Sequence, residues 1–292
     1  MPMTSNSITM SVPPETTMRP SSGSLIYRQS IWTRITHWTW VVCLFFLLFS
    51  GLQIFNAHPT LYVGQESGVA YDNAVFSTYA VATADGPQGR TRIFGWEFNT
   101  TGILGISGPV DRPQFRGFPS SVTIPSYQDL AMGRVVHFFF AWLFVTALLV
   151  WLVASLITGH LRRDLLPTGK DLADLPKDIA AHARFRFHHD RSYNALQKLA
   201  YCGVLFVLFP LIILTGLTMS PAMNAAWPWL LDLFHGRQTA RTLHFLGMVL
   251  LVLFFVGHIL MVLAAGPINE LRSIITGWYR TSPATAVEGH KR

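Results

Sequence analysis

Charge is scarce in this chain. Lys and Arg total 22 and Asp and Glu 15 among 292 residues, so charged side chains make up 13% of the sequence, roughly half the share of a soluble domain. Half of the residues are hydrophobic, which excludes a disordered chain and does not fit a water-soluble enzyme. Cysteine is scarcer still: only Cys43 and Cys202 are present, both inside apolar runs. That excludes a disulfide-stapled secreted fold and the four thiolates of an iron–sulfur cluster. No Cys-x-x-Cys-His occurs, so no haem is attached covalently.

The apolar residues gather in four runs: about Ile35 to Phe55, Val135 to Thr158, Leu199 to Met219 and Thr242 to Ala265. Each approaches the roughly 20 residues that carry a helix across about 30 Å of hydrocarbon. The expected architecture is therefore an all-α membrane protein, a four-transmembrane-helix bundle with a long irregular outer cap between helices 1 and 2. Residues 1–26, rich in Ser, Thr, Pro and Met, are expected to be a disordered cytoplasmic tail without the core of a signal peptide. The first helix occupies 27–56, the cap 57–132, and the other three helices 133–266, with a basic loop at 160–198.

Orientation follows from where Lys and Arg fall. Arg162, Arg163, Lys170, Lys177, Arg184, Arg186, Arg191 and Lys198 lie between the second and third runs, whereas Arg237 and Arg241 lie between the third and fourth. The richer loop belongs in the cytoplasm, which puts both termini there too, at the inner membrane of the cell. The net charge of +7 is then an orientation signal rather than a nucleic-acid patch. The cap faces outward and is far longer than a connection requires. Its Gly, Pro and aromatic residues read as a folded unit with turns and a few short strands. A docking surface for an external partner is the preferred role, against an insertion with no role. Residues 267–292 are expected to form an amphipathic helix at the inner surface, carrying Trp278 and Tyr279, followed by a tail.

Histidine is where the sequence becomes informative. Four of the eleven, His37, His137, His244 and His258, lie within the spans, where an ionisable side chain is costly and marks a functional site. His37 lies near the inner start of the first span; His137 and His244 lie near the outer starts of the second and fourth. His258 follows His244 by 14 residues, about 21 Å along the axis and only about 40° off in rotation. One helix thus presents two imidazoles on nearly one face. By depth, His137 partners His244 at the outer level and His37 partners His258 at the inner level. Two such pairs fit two non-covalent b-type haems with bis-imidazole ligation, with these four histidines as the metal ligands.

Competing chemistry fits less well. Zinc needs three or four ligands converging on one point, and a proton relay is expected to include an intramembrane carboxylate; the four spans contain no Asp or Glu. Arg34-Ile-Thr-His37, Arg134-Val-Val-His137 and Arg241-Thr-Leu-His244 repeat Arg-x-x-His. Each Arg stands one turn towards the membrane surface, suited to pairing with a haem propionate or simply to snorkelling. Gly51, Gly203, Gly216, Gly247 and Gly257 interrupt the spans, either to admit a macrocycle edge or to allow close helix packing. His160 is a candidate for the border of a quinone pocket. His182, His188 and His189 read as solvated loop residues, and His58 and His235 as outer surface.

A His in each of the first two spans, His244-x13-His258 in the last, the stretch Arg-Ile-Thr-His-Trp in the first helix and Asn-Glu-Leu-Arg-Ser-Ile-Ile-Thr-Gly in the tail resemble the di-haem b-type cytochrome subunits of formate dehydrogenase (gamma subunit) and nickel–iron hydrogenase. The resemblance implies a membrane anchor that relays electrons between an external redox subunit and the quinone pool. It places the outer haem on His137 and His244 and the inner haem on His37 and His258, with quinone as substrate near the inner haem and protons drawn from the cytoplasm. The connection after the first span departs from that pattern and is more like versions serving thiosulfate-reductase-type or other molybdopterin-dependent oxidoreductases. Two alternatives remain: a stand-alone superoxide oxidase that reduces quinone, and a non-redox transporter or assembly factor.

The charge bias makes the topology testable. With Cys43 and Cys202 replaced by Ala, Ala70→Cys is expected to react with a membrane-impermeant thiol reagent from outside intact cells, and Ala173→Cys only after the membrane is opened; the reverse pattern would invert the assignment.

Overall fold

The computed structural model describes residues 23–183 and 195–281. Among the described residues four helices are long and apolar enough to cross a membrane: Ile31–Phe55, Leu130–Ile157, Ala195–Met219 and Arg237–Ala265. Each begins about four or five residues before the apolar run that announced it, because polar caps extend the helix beyond the hydrocarbon-soluble stretch. Ser30 caps the first, its Oγ accepting the Thr33 N–H at 3.1 Å, and Asp129 caps the second by accepting the Met132 N–H at 2.9 Å. Both satisfy amide groups that the first helical turn leaves open.

The first span packs along the second and the third along the fourth. The third is not uniform. A π turn, Val204–Leu208, lies just ahead of Pro210; proline lacks the N–H that would close an ordinary turn, and the wider turn absorbs the defect. At the centre of the bundle Cys43, Phe144, Val204, Phe209 and Leu251 form a buried apolar cluster, fed by all four spans. Leu251 stands seven residues from both His244 and His258, so this cluster is a dry layer between the two histidine levels. Most other span side chains face outward, as Phe139, Leu149, Leu253 and Leu260 do, which suits a lipid-facing surface.

The segment outside the bundle corrects the expected all-α architecture with its irregular cap. Thr60–Tyr62, Ala74–Thr83, Gly86–Ile93 and Trp96–Asn99 form a four-stranded antiparallel sheet in that order, and Gly105–Ser107 pairs with Gln114–Arg116 in a separate hairpin. A chain of this length outside the membrane must pair its own backbone groups, and successive hairpins do so locally. The strands are hard to read because both faces of much of the sheet are wet, leaving little alternation. Where the hairpin crosses the sheet only glycine fits: a Cβ on Gly89 would stand 2.2 Å from the Leu104 carbonyl oxygen, and one on Gly105 2.4 Å from that of Tyr79.

The cap is tied to the spans by polar and aromatic contacts. Arg116, buried at 7% exposure, donates to Gln53 Oε1 at 2.6 Å, Thr123 Oγ1 at 2.9 Å and the Ser126 carbonyl at 2.8 Å. Burial pushes its guanidinium below the usual arginine range, since the charged form loses hydration. Asn56 brackets Phe118 by donating to its carbonyl and accepting its N–H. From the fourth span Thr242 donates to the Tyr62 carbonyl at 2.6 Å, and Thr239 accepts the Gly64 N–H at 2.8 Å. Phe55, Phe76, Phe118 and Phe245 cluster over this junction.

At the opposite end the first and last described stretches of the chain meet, which moves two expected boundaries. Leu25 and Ile26 do not belong to a disordered tail: Leu25–Tyr27 pairs antiparallel with Trp278–Arg280. Trp278 and Tyr279 therefore sit in a strand, because the amphipathic helix Pro267–Thr276 stops at Gly277, whose φ of 89° breaks it. Arg28 reinforces the clamp, 3.9 Å from Glu270 and over the Tyr279 ring at 4.8 Å. Within the basic loop, Gly169–Ala183 is helical and docks on the third span through Lys198 and Asp171 at 2.9 Å. The tail up to residue 22, with Arg19, and Arg184, Arg186, His188, His189, Arg191, Lys291 and Arg292 lie outside the described residues, as does the His182 side chain.

Arg116→Met leaves the Ser126 carbonyl and Gln53 without their donor. The expected cost is about 1–3 kcal/mol of local stability, read as faster amide hydrogen exchange over residues 118–129 with the four spans unchanged; unaltered exchange there would show that Arg116 does not hold the cap.

Candidate functional site: two facing histidine pairs

The four intramembrane histidines come from three helices and meet as two pairs. At one level His137 of the second span faces His244 of the fourth, with ring centroids 6.3 Å apart and planes inclined by 58°. At the other, His37 of the first span faces His258 of the fourth at 6.5 Å and 55°. These separations lie within the range of paired rings and are too short to hold a further side chain between them. A metal–imidazole bond of about 2.0–2.1 Å, plus roughly 1.1 Å from ring nitrogen to ring centre, sets two rings on opposite sides of one metal about 6.2–6.4 Å apart. The donor sets thus fit a group ligated axially by two imidazoles.

Hydrogen bonding at the cap-side pair adds to the fit. Ser50 Oγ lies 3.1 Å from His137 Nδ1, and Thr215 Oγ1 lies 3.1 Å from His244 Nδ1. Next to each hydroxyl stands a glycine on which the ring rests: a Cβ at Gly51 would be 3.3 Å from His137 Cε1, and one at Gly216 3.3 Å from His244 Cε1. The span glycines therefore divide by role. Gly51 and Gly216 seat rings, Gly247 has its nearest neighbours at 4.0 Å, and Gly203 and Gly257 have nothing within 4 Å. Sequence reasoning picked out Gly51 and Gly216 but missed Ser50 and Thr215; the repeated hydroxyl–glycine pair was the signal that pointed to them.

The other pair is built differently. His37 Nδ1 is buried with no hydrogen-bond partner among the described residues, its ring sits edge-on to Trp38, and His258 stacks on Phe254. The amphipathic helix anchors at this level, since Trp38 Nε1 donates to the Ile274 carbonyl at 3.3 Å and Arg34 donates to that of Ile275. A recess of about 380 Å³, lined by Leu25, Arg272, Thr276 and Trp278, opens beside it.

The arginines of the Arg-x-x-His repeat are placed unequally. Arg34 donates one Nη to the end of the amphipathic helix while its Nε stays buried and unpartnered among the described residues. Arg241 donates to the His58 carbonyl and lies over the Phe55 ring at 5.4 Å. Arg134 points along the Phe138 ring at 5.7 Å. His58 is not a free surface group: Nε2 bonds Tyr62 Oη at 3.1 Å, and burial together with the Arg241 charge holds its pKa below the usual histidine range. His160 bonds Asp164 at 2.8 Å. Among the described residues no three His, Cys, Asp or Glu side chains converge on a metal-sized point.

Comparison with known proteins points the same way. The putative protein-methionine-sulfoxide reductase subunit YedZ1 of Azospira oryzae is 26% identical over 236 residues, covering 79% of this chain and 87% of that protein. The family described as prokaryotic cytochrome b561 matches residues 28–277, all four spans and the cap included. The chain belongs to the prokaryotic cytochrome b561 family, whose members are membrane cytochromes of the b type.

Proposed function

We propose that this protein is the di-haem electron-transfer subunit of a quinone-linked oxidoreductase in the inner membrane, with both termini cytoplasmic. His137 and His244 hold the outer haem and His37 and His258 the inner one. The observation that carries this reading is the pair of facing imidazoles at 6.3 and 6.5 Å, the spacing two ligands of one iron require. Haem held by these histidines would supply one-electron redox chemistry at each level.

The chain's own residues supply the rest. The apolar layer around Cys43, Phe144 and Leu251 keeps water out between the two levels. Arg34 and Arg241 stand one turn from a ligand at each level with guanidinium groups suited to a propionate, as does Arg134 at the outer level. Quinone is assigned to the inner side, where the recess at Arg272, Thr276 and Trp278 opens at the expected interface, with protons supplied from the cytoplasm. The cap is the docking surface for an external redox enzyme. Its hairpin tip presents Phe94 and Trp96, each 75% exposed, and Phe98. The relative's name, a subunit of a protein-methionine-sulfoxide reductase, supports an oxidoreductase partner of that kind, a molybdopterin-dependent enzyme being the assignment made here. A small oxidant such as superoxide would gain nothing from so large a cover.

Purified protein is expected to contain two protohaems per chain by pyridine haemochrome assay. His244→Ala should remove or displace the outer haem and His258→Ala the inner one, each leaving a reduced-minus-oxidised spectrum of about half amplitude. One haem, or none, in the wild-type protein would overturn the pairing.

A further inference from the structure

The outer rings are held by two residues that no ligand pattern includes. Ser50 Oγ donates to the Phe46 carbonyl at 2.5 Å and Thr215 Oγ1 to the Leu211 carbonyl at 2.6 Å. A hydroxyl has one proton, and in both residues it lies among backbone carbonyls, the one four residues back and, at 3.4 and 3.2 Å, the one three residues back (Leu47 and Ile212). With that proton on a carbonyl, the 3.1 Å contact with the imidazole is a hydrogen bond in which Nδ1–H donates and the hydroxyl oxygen accepts, beside the Leu47 and Ile212 carbonyls that also bond the His137 and His244 rings. The tautomer is thereby fixed: Nδ1 carries the proton and Nε2 keeps the lone pair that binds a metal.

Back-bonding alone would mean little, because Ser and Thr in apolar helices commonly satisfy themselves this way. Thr36, Thr39, Thr146 and Thr218 do so here. What separates Ser50 and Thr215 is a ring nitrogen at the same 3.1 Å in both cases. Each is also followed by the glycine that lets the ring approach, with matching clearances of 3.3 and 3.6 Å to Cε1 and Nδ1. The first and third spans thus offer the same hydroxyl–glycine cradle to ligands on the second and fourth. The inner pair has no equivalent at His37, whose Nδ1 is unpartnered among the described residues.

We propose that Ser50 and Thr215 are positioning residues for the outer haem: they lock the ligating tautomer of His137 and His244 and lower that haem's reduction potential. The proposal rests on the bis-imidazole reading above. A ligand that donates from Nδ1 becomes more basic at Nε2, which favours ferric over ferrous iron, and second-sphere hydrogen bonding is one of the levers by which a protein sets haem potential. The effect is confined to one level, so the inner haem serves as an internal reference.

The test is a potentiometric titration of the purified full-length protein with its haems, followed optically and by electron paramagnetic resonance. His244→Ala identifies which signal belongs to the outer haem. Ser50→Ala and Thr215→Val are each expected to raise the outer midpoint potential and alter its low-spin resonance, with the inner haem unmoved. The double variant should shift further, and Ser50→Thr and Thr215→Ser should stay close to wild type. Should Ser50→Ala lose the outer haem on purification, its retention by Ser50→Thr supports the proposal, and its loss from both overturns it. Unchanged outer potential and resonance in the double variant, or equal shifts at both haems, also overturns it. Fewer than two haems in the wild-type protein would instead overturn the bis-imidazole reading itself.

Discussion

The structure depends on the cost of placing imidazole rings at membrane depth. An ionisable side chain among lipid-facing helices is retained only where something compensates its lost hydration, and here each ring faces another at 6.3 or 6.5 Å. The fourth span makes this economical. Its 14-residue separation of His244 and His258 lets one helix serve both levels, so the second and first spans need to supply only one ring each. The dry layer at Cys43, Phe144, Phe209 and Leu251 is a consequence of the same spacing, because it occupies the stretch midway between the levels.

The two levels are supported unequally. On the cap side the rings are oriented by Ser50 and Thr215 and seated on Gly51 and Gly216. On the terminal side, orientation comes from aromatic packing against His37 and His258 and from the amphipathic helix that Arg34 and Trp38 fasten to the first span. Hydrogen bonds to a ligand tune it, whereas stacked rings chiefly confine it. The two histidine pairs thus sit in different surroundings, one hydrogen-bonded and one packed against aromatic rings.

The cap shares groups with the site it covers. Gln53, which accepts from Arg116, lies two residues beyond Gly51, and Thr242, which holds Tyr62, lies two residues before His244. A partner seated on the sheet would therefore bear on helix turns that also carry the outer pair. The strand pairing of Leu25–Tyr27 with Trp278–Arg280 plays a similar part below, since it closes the end of the bundle where Arg34 meets the amphipathic helix.

The spans, their number and the depth of each histidine were legible in the sequence, because hydrocarbon imposes length and composition on any helix that crosses it and helical rise converts spacing into depth. A folded cap with turns and a few short strands was legible too, but the order and register of its sheet and the pairing of Leu25–Tyr27 with Trp278–Arg280 were not, since hairpins with two wet faces and three-residue strands leave almost no periodic trace. Ser50 and Thr215 left only the repeated hydroxyl–glycine pair as a trace, for a hydroxyl in an apolar helix satisfies itself on its own backbone whether or not a ring lies beside it. Sequence alone determined what crosses the membrane and at which level its ionisable groups sit. Which rings share a level was legible as well; only the tertiary structure decided at what distance and angle they face and which hydroxyl each one meets, because those contacts join helices whose relative rotation no single stretch of chain encodes.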